Sequence, residues 1–241
     1  MLTRLLLVPL VLTTTLGAQK VRPTPQEVRW WQAAVVFGGI ALAGAFDEPV
    51  ERDVQEDRSQ FGDRLASAVR RMGEPEVFAT IPGALVAAGL LTKRPGLRRR
   101  GERIAVSLAL AGVLAASTKL AVGRLRPNQT PETGAFKPFS GADAFPSGHA
   151  TMAFALATSL ANEIKRPWAT AALLTVAAGT GWSRMNDNKH WLSDVVAGAA
   201  LGVTSAQLVE SRWRLFHLRP PMLLVAPGST GVEWQVPFRV R

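Results

Sequence analysis

Six stretches of the chain, at 31–46, 77–91, 104–118, 151–161, 169–182 and 195–209, are dominated by Ala, Leu, Gly and Val and are separated by charged or Pro/Gly-rich connections. Their apolar residues run on rather than alternating, which favours helices over strands. Each stretch is shorter than the roughly 20 residues of a comfortable membrane span. Flanking residues can lengthen them, and small residues spaced like Gly198 and Gly202 let helices pack closely. The pattern predicts an all-α fold, a bundle of about six mostly membrane-spanning helices. A soluble bundle of unusually apolar helices is the alternative. Residues 222–240 differ: two β-like runs flank Pro227-Gly228-Ser229-Thr230-Gly231 and predict a terminal hairpin.

The amino terminus carries a further signal. Arg4 precedes an apolar run at 5–12, and Gly17-Ala18 offers small residues for cleavage before Gln19. Residues 1–18 are therefore expected to be a secretory signal peptide or an uncleaved anchor. Residues 19–210 would form the main domain and 211–241 a basic tail. A cleaved signal leaves the mature amino terminus outside, and a full span at 31–46 would then invert every later connection. Either the signal stays attached, or that stretch lies in the interface or re-enters.

Composition narrows the function. Among 241 residues there is no cysteine, which excludes disulfide scaffolds, Cys-based zinc sites, iron–sulfur clusters and thiol nucleophiles. A net charge of +10 invites a nucleic-acid reading, but the placement of the charges argues otherwise. Lys93, Arg94, Arg98, Arg99, Arg100 and Arg103 follow the second stretch, Lys165 and Arg166 the fourth, and Arg212, Arg214 and Arg219 the sixth. In a six-span alternation these connections share one side, the cytoplasm by the positive-inside rule. The connection after the first stretch, with Asp47, Glu48, Glu51, Asp53, Glu56, Asp57, Asp63 and Glu74, falls on the other side. The basic excess is thus a topology signal, and a membrane is the expected partner rather than nucleic acid.

Three clusters lie at helix ends on that outer side: Lys119 with Arg126-Pro127; Pro146-Ser147-Gly148-His149; and Ser183-Arg184, His190 and Asp194. Lys119 and Arg126, about two helical turns apart, can reach one anion. Arg184 adds a guanidinium fork, suited to bidentate contact with phosphate oxygens. Ser147 and Gly148 open a helix whose free N–H groups point at an oxyanion. Together they make a cradle for the charge on a transferring phosphoryl group. His190 and Asp194, at i and i+4, are placed for Asp194 to fix the imidazole tautomer, leaving the other nitrogen to attack phosphorus. His149 is left to protonate the leaving oxygen. The scheme needs no metal or cofactor. The rival, a two-His-one-carboxylate metal site at His149, His190 and Asp194, would set a divalent ion among three repelling cations.

The ordered set Lys-x6-Arg-Pro, Pro-Ser-Gly-His and Ser-Arg-x5-His-x3-Asp resembles the signature of the type 2 phosphatidic acid phosphatase (PAP2) superfamily, with every key position intact between Lys119 and Asp194. The resemblance implies a phosphohistidine at His190, later hydrolysed by water, with Asp194 orienting it and His149 acting as acid and then base. It implies a metal-independent phosphatase of lipid phosphate monoesters or pyrophosphates, facing the exterior of a bacterial cytoplasmic membrane. A soluble periplasmic acid phosphatase, a vanadium-dependent haloperoxidase and a non-catalytic lipid-binding protein are the alternatives. Arg124, Asn186, Asp187, Asn188 and Lys189 are expected in solvated loops around the site, Trp182 and Trp191 in an interfacial belt, and His217 on the surface. No feature of residues 128–145 specifies a headgroup, and the oligomeric state is open.

Overall fold

The structure, a computed structural model, describes residues 26–71, 73–210, 213–215, 222–226 and 229–233. The expected signal segment and His217 lie outside them. After the short strand β1 (Gln26–Val28), the chain forms α1 (Trp30–Ala45), α2 (Asp47–Glu56), α3 (Gln60–Arg71), α4 (Pro75–Leu91), α5 (Pro95–Val122), α6 (Gly148–Ile164), α7 (Pro167–Asn186) and α8 (Leu192–Val209). Strands β2 (Trp213–Leu215), β3 (Met222–Ala226) and β4 (Ser229–Glu233) follow. β3 and β4 pair antiparallel as the expected hairpin, whereas β2 pairs parallel with β1, which the sequence pattern does not announce.

Each of the six apolar stretches lies largely within a helix of its own. Pro75, Pro95 and Pro167 open α4, α5 and α7, at the position where a missing N–H is harmless and the fixed φ is already helical. The acidic connection is more ordered than expected: it contains the helices α2 and α3, and α2 leaves α1 at a 52° bend. Ala66 of α3 is buried, and Val69 lies so close to Gly179 of α7 that a β-carbon there would sit 3.1 Å from it.

The interior is built from small residues. Ala66, Ala111, Ala150, Ala155 and Ala206 are fully buried, while Trp30, Phe37, Leu91 and Trp168 are each more than 70% exposed. A bundle folding in water buries most of its large apolar groups; this one keeps Trp191, Phe78 and Ile104 inside but turns many others outward and packs backbones closely, as helices surrounded by lipid do. Gly198 and Gly202 mark the tightest crossing, α8 on α6. A β-carbon at Gly198 would lie 2.6 Å from the Ser147 carbonyl, and one at Gly202 would lie 2.3 Å from the Thr151 carbonyl. The small-residue pair therefore fixes α8 against the start of α6, where two of the three clusters meet. Among the described residues, the stretch Gln60–Leu91, α5 and α8 are long and apolar enough to cross a membrane, and the bent pair α1–α2 makes a fourth if counted as one span.

Candidate active site

Three connections close over one end of the bundle. α5 stops at Gly123, whose left-handed φ of 56° suits glycine and whose absent side chain admits the Lys137 carbonyl, 1.9 Å from where a β-carbon would sit. Lys137 N–H donates to the Gly123 carbonyl at 2.7 Å and Leu125 N–H to the Ala135 carbonyl at 3.0 Å. These bonds fold residues 123–137 back on themselves and carry Arg124 and Arg126 off the end of α5. The ladder ends at Val122, so Lys119 and Arg126 do not share a helix, yet both reach one residue. Lys119 Nζ donates to the Asp143 carbonyl oxygen, and Arg126 grips the Asp143 carboxylate with Nε and Nη2 at 2.8 and 2.6 Å.

Ser147 is the N-cap of α6, and its N–H donates to the Asp194 carbonyl at 2.9 Å, joining the second cluster to the third. Its hydroxyl is buried without a hydrogen-bond partner. Gly148 follows, with Lys119 Cε 3.7 Å from where its β-carbon would be. The first-turn N–H groups of a helix have no intrahelical acceptor, so the opening of α6 offers donors beside the lysine. From α7, Arg184 gives Nη1 to Asp187 at 2.8 Å while its buried Nε has no partner. Arg70 of α3 reaches the same carboxylate oxygen at 3.3 Å.

His190 is almost fully buried in the α7–α8 connection, two residues before α8 rather than on it. Its Nδ1 lies 2.8 Å from the Ala144 carbonyl and 3.6 Å from Asp194 Oδ2. A carbonyl only accepts, so Nδ1 carries the proton and Nε2 keeps its lone pair. His190 Nδ1 thus sits closer to this carbonyl than to Asp194, whose Oδ2 takes the Trp191 N–H at 2.9 Å and whose Oδ1 takes Arg124 Nη1 at 2.7 Å. Burial holds His190 below the ordinary histidine range; Lys119 and Arg126 push the same way and Asp194 opposes them. Burial also lowers His149, in the first turn of α6, to about 4, with Arg184, His190, Arg70 and Lys119 adding to the effect. Burial alone would raise Asp143, but the hydrogen bonds and charge of Arg126, with Lys119 and His190, hold it below the usual carboxylate range.

Lys119, Arg126, Ser147, Gly148, His149, Arg184, His190 and Asp194 are thus brought together by α5, α6, α7, α8 and their connections. Several neighbours assigned to solvated loops are structural. Arg124 is 4% exposed, held by Asp47, Ser193 and Asp194 at 2.7 Å each and flanked by the rings of Phe136 and Trp191. Asp187 ties Arg184 to Arg70, and buried Asn186 donates to Asp63 at 2.9 Å. Trp191 is 2% exposed rather than interfacial, its indole N–H donating to the Leu125 carbonyl. Asp47, Arg70 and Asp143 escaped sequence reasoning. One signal was available for Asp143: it is the sole carboxylate between Glu132 and Glu163, four residues ahead of Ser147.

Comparison with known proteins follows the same residues. A model of the PAP2 superfamily matches 102–216, a segment holding all three clusters. A lipid A 1-phosphatase of Porphyromonas gingivalis is 41% identical over 106 residues, covering 43% of this chain and 22% of that protein. One from Rhizobium etli is 35% identical over 107 residues, covering 42% of this chain and 45% of that protein. The chain therefore spans less than half the length of these curated relatives. Two crystal structures share the fold. Aquifex aeolicus LpxE superposes with a TM-score of 0.56 at 21% identity, covering 68% of this chain and 94% of that one. A transmembrane PAP2-type phosphatidylglycerolphosphate phosphatase from Bacillus subtilis gives 0.58 at 18% identity, covering 75% and 94%. Over residues 102–216, the chain is thus similar to the PAP2 superfamily, and its fold is shared with PAP2-type phosphatases.

Proposed function

We propose that the protein is a membrane-embedded phosphatase that removes phosphate from a phosphorylated lipid through a phosphohistidine at His190. The observation that carries this reading is the tautomer: Nδ1 is tied to the Ala144 carbonyl, so Nε2 is a buried lone pair in the neighbourhood of Lys119 and Arg126. The phosphate takes the place of the Asp143 and Asp187 carboxylates on Arg126 and Arg184. It also receives Lys119 and the N–H donors that open α6. Nε2 attacks phosphorus, the P–O bond to the lipid breaks, and His149 gives its proton to the leaving oxygen. Water then attacks the phosphohistidine, its proton passes to His149, and the P–N bond breaks to release inorganic phosphate and His190. His149 is poorly protonated beside these cations alone; the incoming phosphate dianion offsets their charge and lets the imidazole hold the proton that it donates. No divalent metal takes part.

Lipid A bearing a 1-phosphate is the leading substrate, supported by the names of the curated relatives. The exposed large side chains and apolar helices support a site reached sideways from the bilayer. The two ends of the bundle support an outward-facing site. α5 begins and α6 ends at the basic end, where Arg100 and Arg103 pair with Glu163, and the site lies at the opposite end. The positive-inside rule puts the basic end in the cytoplasm and the site in the periplasm or exterior.

The test is phosphate release by detergent-purified full chain from lipid A, phosphatidate, phosphatidylglycerophosphate, undecaprenyl pyrophosphate and water-soluble monoesters. Turnover of a lipid substrate that survives chelators, is blocked by orthovanadate and is lost in His190→Ala supports the reading. Substantial turnover by folded His190→Ala rejects the mechanism.

A further inference from the structure

Behind His190, the buried charges of Asp194, Arg124 and Asp47 form a continuous chain. Asp47, at the bend between α1 and α2, has no solvent exposure. Its Oδ2 accepts Arg124 Nη2 and the Ser193 hydroxyl, each at 2.7 Å, and its Oδ1 accepts the Ser193 N–H at 2.8 Å. The other arm of the same guanidinium, Nη1, donates to Asp194 Oδ1 at 2.7 Å. Thr133, through its carbonyl, takes Arg124 Nε at 3.0 Å and a contact from Nη2. Every donor position of Arg124 thus has a protein acceptor within reach, between two aromatic rings.

We infer that Arg124 and Asp47 are positioning residues for the nucleophile: Arg124 clamps Asp194 beside His190, and Asp47 offsets the charge of Arg124 so that Asp194 acts on the imidazole with its full negative charge.

The charge count supports this division. Arg124 with Asp194 alone would be neutral, and a neutral pair does little for an imidazole that gains positive character as it is phosphorylated. Adding Asp47 leaves the trio at −1. Structural need alone does not account for a second buried carboxylate, because replacing buried ion pairs by apolar groups is often neutral or stabilising. Placement matters too. Asp47 arrives from the α1–α2 bend, Arg124 from the α5–α6 connection and Asp194 from the first turn of α8, so the trio also locks α1 to the catalytic end. Ser193 bridges them, donating to Asp47 and accepting from Arg124.

The inference rests on His190 being the nucleophile, and its test separates the two. The charged and titratable groups around His190 are Asp194 and, through it, Arg124 and Asp47; Lys119 of α5; Arg126 and Asp143 of the α5–α6 connection; and His149 of α6. With His190 held below its ordinary range, its neutral form persists under pH 6.5, and the acid limb of kcat/KM lies there for the parent enzyme. Asp47→Asn leaves Arg124 uncompensated, which moves that limb to lower pH by about half a unit and reduces kcat several-fold with KM unchanged. Arg124→Gln leaves Asp47 uncompensated and moves the limb upward. Asp47→Asn with Arg124→Gln cancels both charges and returns the limb toward the parent position. Opposite shifts, or the predicted direction from whichever single variant accumulates, support the inference. Variants that are merely less stable, with the parent pH profile, overturn it. A His190→Ala variant that still turns over instead overturns the nucleophile assignment beneath it.

Discussion

At the scale of single residues, the proposed phosphate cradle is already occupied by the protein's own carboxylates. Arg126 is gripped through both carboxylate oxygens of Asp143, and Arg184 shares Asp187 with Arg70. Bidentate guanidinium–carboxylate geometry is the geometry of guanidinium–phosphate contact, so a phosphate bound in the proposed cradle would displace these carboxylates. The Asp143 side chain is 47% exposed, which keeps the contribution of its pair with Arg126 small, about 1 kcal/mol at most. Asp143→Asn is therefore expected to tighten inhibition by inorganic phosphate or orthovanadate by up to about fivefold, read as a lower inhibition constant at neutral pH. An unchanged or weaker constant would mean that Asp143 does not compete with the anion. Asp143 shows why the site was only partly legible. Side chains proposed to hold or transfer phosphate are constrained in type and spacing, so Lys119, Arg126, His149, Arg184 and His190, with Asp194 behind them, stand out in the sequence. Their partners need only carry charge and arrive from elsewhere in the chain, so Asp47 looks like any other member of the run Asp47, Glu48, Glu51.

At the scale of elements, the six apolar stretches were legible because continuous runs of Ala, Leu, Gly and Val leave few options besides packed helices. α2 and α3 were not, since their charged residues resemble a solvated connection until Ala66 is seen buried and Val69 is seen against Gly179 of α7. The i, i+4 spacing of His190 and Asp194 misled for a related reason: Trp191 caps α8, leaving His190 in the preceding turn. The crossing of α6 and α8 carries the geometry of the site. Gly198 and Gly202 let Ser147 approach α8 closely enough for its N–H to reach the Asp194 carbonyl. Gly202→Leu places a side chain where even a β-carbon would be 2.3 Å from the Thr151 carbonyl. It should lower stability by about 1–3 kcal/mol or more and lower turnover together with it. Thermal unfolding in detergent alongside phosphate release checks this, and a variant with parental stability would show that the crossing is looser than described.

At the scale of the whole molecule, the bundle is polarised between its ends. One end collects Arg98, Arg100 and Arg103 with Glu102 and Glu163; the other collects the cradle and the buried trio. α5, with 28 residues, is about 42 Å long and joins the two across more than the ~30 Å of a bilayer core. Because the chain has no cysteine, single introduced thiols report each end without interference. Phe139→Cys, on an exposed position of the α5–α6 connection, should react with a membrane-impermeant maleimide in intact spheroplasts. Gly96→Cys, near the start of α5, should react only after permeabilisation. The reverse pattern would invert the orientation and place the site in the cytoplasm.

The most direct measurement of the chemistry is to capture the intermediate. Full-length protein in detergent, mixed briefly with lipid substrate labelled at phosphorus and quenched in alkali, should carry the label on the peptide containing His190. The labelled fraction should vanish in His190→Ala. Turnover by the parent protein with label never appearing on the chain, or appearing on a residue other than His190, would contradict nucleophilic attack by this imidazole.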